Sequence, residues 1–110
     1  MKYRIYDPKY DEMLYGINAK FAKGKNLTRM VFTGLSIYPI DLYEGDIFWY
    51  QKGDRWYTGF ISQIAEDCFI LMPHGDSLES VLRDCVNFYV GNIYRHPHLL
   101  NIKRRDEICF

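Results

Sequence analysis

Between Asp46 and Pro73 the chain repeats one pattern: a short apolar run, a tight polar turn, another run. Ile47-Phe48-Trp49-Tyr50 leads into Lys52-Gly53-Asp54-Arg55, Trp56 to Ala65 leads into Glu66-Asp67, and Cys68-Phe69-Ile70-Leu71-Met72 stops at Pro73. Runs this short, rich in aromatic and β-branched residues and bounded by Gly, Asp and Pro, are strands rather than helices. Ahead of them, Tyr43-Glu44-Gly45-Asp46 reads as a turn, with Gly45 free to take a positive φ and Asp46 able to accept backbone N–H groups at the strand entrance. Within 56–65, Trp56, Thr58, Phe60 and Ile64 share one face, and Tyr57 and Ile61 take the other. Apolar residues on both faces suit a strand in a small barrel, or one covered by a second layer.

The flanking segments extend this reading. Lys2 to Tyr6 alternates, Asp7-Pro8-Lys9-Tyr10-Asp11 supplies a turn, and Met13-Leu14-Tyr15-Gly16-Ile17 resumes, which predicts a hairpin with strands at 2–6 and 12–17. Asn18 to Asn26 reads as a polar loop, Thr28 to Thr33 as a strand, and 34–42, with Gly34 and Pro39, as an irregular connection. Helical spacing occurs at one place: Leu78, Val81, Leu82 and Cys85 fall on one stripe, with Asp76 and Glu79 placed to form a capping box. Val86 to Val90 alternates again and continues through Gly91 to Tyr94. Pro97 fits the first position of a short helical turn anchored by Leu99 and Leu100. The expected fold is mainly β: a small barrel of five or six strands, preceded by an N-terminal β-hairpin and carrying one short helix. Short strands manage their edges best by curling closed. One domain is expected, divided into hairpin and loop (1–27), barrel (28–102) and tail (103–110).

Composition narrows the function classes. With 110 residues, 48% of them apolar, the chain is long enough for one core and too apolar for disorder. No apolar run approaches the roughly 20 residues that span a bilayer, and Met1-Lys2-Tyr3-Arg4 opens no signal peptide, so a cytoplasmic protein is expected. The formal charge is zero in sum but not in distribution. Residues 1–30 hold seven bases and three acids, residues 31–92 three bases and nine acids, and the last eighteen four bases and two acids. A basic start and a basic tail thus flank an acidic middle, and the ends are expected to complement it within a chain or between copies; alternatively Lys20, Lys23 and Lys25 form an arm for phosphates. Cys68, Cys85 and Cys109 form an odd set without C-x-x-C spacing, as expected of reduced thiols rather than disulfides or a zinc site. His96 and His98 flank Pro97 without a nearby third ligand, so no metal or other cofactor is expected.

Three stretches together resemble the YopX family of bacteriophage and prophage proteins. Lys2-Tyr3-Arg4-Ile5-Tyr6-Asp7 followed by Met13 is similar to that family's opening strand, turn and returning strand. Thr33-Gly34-Leu35 with Leu42-Tyr43-Glu44-Gly45-Asp46-Ile47 is similar to its central signature, and Val90-Gly91-Asn92-Ile93-Tyr94, Pro97 and Leu99-Leu100 to its closing one. Order and spacing agree over residues 2–100. The chain departs from the family pattern at Ser36 to Asp41, where an Asp-, Asn- and Gly-rich turn is usual and Ile37, Tyr38 and Ile40 instead supply an apolar patch, and at Arg95, His96 and His98, where the family tends to be acidic. The resemblance implies an SH3-like barrel, a mobile-element origin in a bacterial host and no catalytic residues. Thr33, Gly34, Leu35, Tyr43, Glu44, Gly45, Asp46, Gly91, Asn92, Tyr94 and Pro97 are read as structural.

An enzyme is not expected. Cys68, Cys85, Asp46, Glu44 and His74 are the candidate catalytic groups, and none sits in a G-x-S-x-G, H-E-x-x-H or phosphate-loop motif. A nucleic-acid-binding barrel is the alternative, because Trp49, Tyr50, Lys52, Arg55, Trp56 and Tyr57 gather aromatics and bases around one hairpin. A protein-interaction or assembly module, forming homo-oligomers or engaging a protein partner, is favoured. Its expected binding surface comprises Tyr38, Trp49, Arg55, Trp56 and Tyr57. Side-by-side exposure of Tyr and Trp would also suit a groove for proline-rich peptides.

Overall fold

The first hairpin forms where the sequence places it. In the computed structural model, which describes residues 2–101, β1 (Tyr3–Asp7) pairs antiparallel with β2 (Glu12–Tyr15), Ile5 opposite Leu14. The turn between them is closed by the Asp7 carboxylate, which accepts the Lys9 backbone N–H at 3.0 Å. The tail at 103–110 lies outside the described residues. By their packing the described residues fall into two units that divide between Glu44 and Gly45.

In the N-terminal unit the returning strand ends at Tyr15 rather than at residue 17. Gly16 takes φ +56° and turns the chain into a short helix, α1 (Gly16–Lys20), where a loop was expected. Such a five-residue helix is too short to announce itself by periodicity. The next strand, β3 (Thr28–Ile37), is also longer than its apolar run, and β4 (Ile40–Tyr43) pairs with it, so 34–42 is a hairpin and not an irregular connection. The sheet order is β2-β1-β3-β4. The strand beginning at Thr28 therefore belongs with the hairpin, and the expected division at 27/28 moves to 44/45. Tyr6, Ala19, Met30, Leu42 and Tyr43 are buried. Arg4 is buried among them, its guanidinium 4.8 Å from the Tyr43 ring centre and its Nη2 donating to the Glu44 carbonyl at 3.2 Å. Ring face and carbonyl together offset part of the cost of taking this cation out of water.

The C-terminal unit is mainly β and forms a half-barrel from the expected turn-and-run segments. β5 (Asp46–Lys52), β6 (Arg55–Ala65) and β7 (Cys68–Met72) form a meander, and the two-residue β8 (Asp76–Ser77) adds to its outer edge. Helix α2 (Leu78–Asp84) then carries the chain to β9 (Asn87–Asn92), which returns to the free edge of β5 and gives the order β8-β7-β6-β5-β9. Bulges between Ile47 and Phe48 and between Gln63 and Ala65 help bend the sheet. Gly59 helps too: a Cβ there would stand 3.0 Å from Leu71 Cβ and 3.3 Å from the Tyr50 ring, so only a bare backbone lets these strands close up. Ile47, Phe48, Tyr50, Ile61, Leu71, Leu78 and Val81 make the core.

The predicted helix stripe is correct in Leu78 and Val81, both buried, but the cap differs. Ser77, not Asp76, accepts the Ser80 N–H, at 3.3 Å, because the Asp76 carboxylate is engaged by β5. Pro97 opens a 3₁₀ turn (Pro97–Asn101), as expected. Among the described residues no helix is long and apolar enough to cross a membrane.

Candidate functional site

The expected binding surface does not assemble as one face. In β5 every residue from Asp46 to Tyr50 is buried, since the strand is central and covered on both sides. Trp49 is accordingly only 7% exposed and belongs to the core, not to a surface. Trp56 and Tyr57 are neighbours in sequence and so point to opposite faces of β6. Trp56, opposite Gln51, reaches across β5 and stacks on Phe88 of β9, ring centres 5.9 Å apart and planes at 17°. Phe88 is 40% exposed, and Val86 beside it is also exposed. Sequence reasoning passed over both; the Val86–Val90 alternation held the signal, but its pairing partner β5 was hidden. Arg55 is exposed at the β5–β6 turn.

On the other face Tyr57 stacks on Tyr50 at 5.6 Å and meets the His74 ring edge-on at 4.7 Å. The Tyr50 hydroxyl donates to Asp76 Oδ2 at 2.7 Å, and Lys52 Nζ donates to Asp76 Oδ1 at 2.6 Å. Burial, with the neighbouring Asp76 carboxylate, pushes the Tyr50 phenol well above its ordinary range. Hydrogen bonds from Lys52 and Tyr50 hold the Asp76 carboxyl below its usual range, and the same contact raises Lys52. Of the hairpin's bases and aromatics, Trp49 and Tyr50 are buried and Lys52 is bound to Asp76, while Trp56 and Tyr57 are half-buried and Arg55 is exposed. Trp56 and Tyr57, on opposite faces of β6, do not stand side by side. Tyr38 belongs to the N-terminal unit, at the β3–β4 turn, and is 94% exposed.

Many of the residues read as structural lie at turns and strand junctions. Thr33 Oγ1 accepts the Leu35 N–H at 3.1 Å and donates to the Leu42 carbonyl at 2.8 Å, fastening a bulge at which Gly34 takes φ +83°. Glu44 Oε1 accepts the Val31 N–H at 2.9 Å, and Tyr43 receives the Tyr15 ring edge. Gly45 donates to the Ile61 carbonyl and accepts from the Ile93 N–H, both at 2.8 Å. Asp46 pairs in register with Asn92 and lies 3.5 Å from the Tyr89 hydroxyl. Asn92 Oδ1 accepts the Tyr94 and Arg95 N–H groups at 3.1 and 2.9 Å. A Cβ on Gly91 would run into the His96 ring, whose Nδ1 accepts the Asn92 N–H at 3.2 Å. The carboxylates of Glu44 and Asp46 and the ring of His74 thus hold local structure.

Cys68 is exposed at the β6–β7 turn and Cys85 half-buried after α2; Cys109 lies outside the described residues. The His96 and His98 rings are 6.3 Å apart, and among the described residues no three His, Cys, Asp or Glu side chains gather as metal ligands would. Comparison of the chain with protein-family models, with curated proteins and with solved structures finds no match.

Proposed function

We propose that this chain is a YopX-like protein of phage or prophage origin, working in the bacterial cytoplasm as a non-enzymatic interaction and assembly module that engages a second copy of itself. The observation that carries this reading is the β3–β4 tip, where Tyr38 stands 94% exposed beside the exposed Ile40. A large aromatic held in water on a hairpin forgoes the burial free energy that a partner would supply. Charge favours a copy of the same chain as that partner. Residues 2–44 carry seven bases and five acids, residues 45–101 four bases and seven acids. The N-terminal unit of one copy and the C-terminal unit of another therefore attract. The family resemblance and the structural duties of Glu44, Asp46 and His74 support a role without catalysis.

Light scattering during chromatography tests it. The full chain at 50 mM salt is expected to run above its monomer mass of 13.2 kDa, and to fall toward that mass with Tyr38→Ser or at 500 mM salt. A clean monomer at high concentration and low salt overturns the reading.

A further inference from the structure

We propose that the N-terminal unit carries a binding cleft for single-stranded nucleic acid. The cleft, about 720 Å³, opens between the β1–β2 turn and the loop after α1. Its walls include Lys9 and Tyr10 from the turn and Lys23, Lys25 and Asn26 from the loop. That volume falls in the range of roughly 300–1,000 Å³ typical of small-ligand sites.

Charge gives the ligand its sign. Between Glu12 and Asp41 the sequence holds four bases, Lys20, Lys23, Lys25 and Arg29, and no acid. Among the described residues Lys9, Lys23 and Lys25 are exposed and none is held in an ion pair. The one carboxylate in the wall, Asp7, is largely buried and accepts the Lys9 backbone N–H. Three ammonium groups therefore face one carboxylate that is already committed to its own turn.

The aromatic gives the ligand its class. Tyr10 is 66% exposed, with the Lys9 ammonium 5.2 Å from its ring centre. The helix before the loop repeats the pairing, Lys20 lying 5.6 Å from the exposed Phe21 ring. Free phosphate needs the lysines but has no use for the rings. A duplex offers phosphates but keeps its bases stacked on each other. A single strand presents both, a charged backbone for the lysines and open base faces for the rings. This proposal stands apart from self-association, since it uses neither Tyr38 nor a second copy.

Fluorescence anisotropy with the full chain and a labelled twelve-residue oligothymidylate tests it, beside a labelled duplex of equal length. Binding at 50 mM salt is expected for the single strand and weaker binding for the duplex. Three phosphate contacts on a single strand give a log–log salt slope of about −2, so a rise to 200 mM weakens binding about twentyfold. Lys23→Ala with Lys25→Ala is expected to reduce the slope to about −0.7. Tyr10→Ala is expected to weaken binding at least about fivefold and leave the slope alone, as loss of one stacked base would. All three positions are exposed, and far-ultraviolet spectra confirm that the variants fold. A control replaces Lys103, Arg104 and Arg105 by alanine and is expected to bind as the parent does. The proposal is overturned by no binding at 50 mM salt, by equal or tighter binding of the duplex, or by binding that survives the cleft variants and disappears with the control.

Discussion

The two sheets of this chain solve the problem of covering apolar surface in different ways. In the C-terminal unit a continuous run, Ile47 to Tyr50, becomes a central strand buried on both faces. In the N-terminal unit β1 alternates, and the residues its core buries include a cation, Arg4. The same unit leaves Tyr10, Tyr15, Ile17, Phe21, Tyr38 and Ile40 exposed. The C-terminal unit leaves Ile64, Val86 and Phe88 exposed, so it excludes more of its large apolar side chains from water than the N-terminal unit does.

Two phenylalanines put numbers on the contrast. Phe48, fully buried beneath the Tyr89 ring edge, is the heavier one. Phe48→Ala is expected to cost about 3–5 kcal/mol in urea denaturation, the usual range for emptying such a site. A cost below about 1 kcal/mol would remove the distinction between the two sheets, because it would mean that the central strand is not the packed one.

The Tyr50–Asp76 hydrogen bond comes next. Tyr50→Phe is expected to cost about 1.5–3 kcal/mol at neutral pH, the net worth of one hydrogen bond to a charged group. Its pH dependence has two arms. Asp76 titrates lower in the fold than in the unfolded chain, so its contribution is present above the unfolded value near 4 and is lost as pH falls through the folded value. The Tyr50 phenol titrates higher in the fold, so its contribution is present below about pH 10 and is lost as pH rises above that, where the unfolded phenol ionises first. Denaturation followed from pH 2 to pH 11 should therefore show the parent losing stability at both ends, with Tyr50→Phe flatter above pH 10. A variant that tracks the parent at alkaline pH would show that the phenol is not the group responsible.

Phe21→Ser should have the smallest effect. The side chain is 64% exposed, and a change within about 0.5 kcal/mol is expected in the same urea experiment. A cost comparable with that of Phe48→Ala would place Phe21 inside a packed surface and erase the contrast between the two units.

The legible parts of the fold were those written in local spacing. The β5–β6–β7 meander followed from alternating runs cut by Gly53, Asp67 and Pro73, and the inner edge of α2 from the spacing of Leu78 and Val81. What stayed hidden depended on partners remote in sequence. Gly34 and Pro39 looked like breaks, yet Gly34 is a bulge pinned by Thr33 and Pro39 sits in the turn of a regular hairpin. Asp76 and Ser77 are both good caps, and the choice was made by Tyr50 and Lys52, some 25 residues away. Trp49 could have been placed from the sequence, because an apolar run without alternation already signals burial on both faces. Of the candidate surface, Tyr38 was legible as part of the apolar patch of Ile37, Tyr38 and Ile40, whereas Phe88 needed knowledge of which strand lay beside it.

The pairing of β9 with β5 joins Asn92 to Asp46 across most of the second unit. During synthesis this edge stays open until residue 92 has left the ribosome, and a nascent chain stopped after α2 would display Ile47 and Trp49 along an unfinished margin. Such a margin is adhesive. Truncated products should accordingly be more prone to clump than the full-length chain, and a helper that shelters exposed strands would matter most in the last moments of translation.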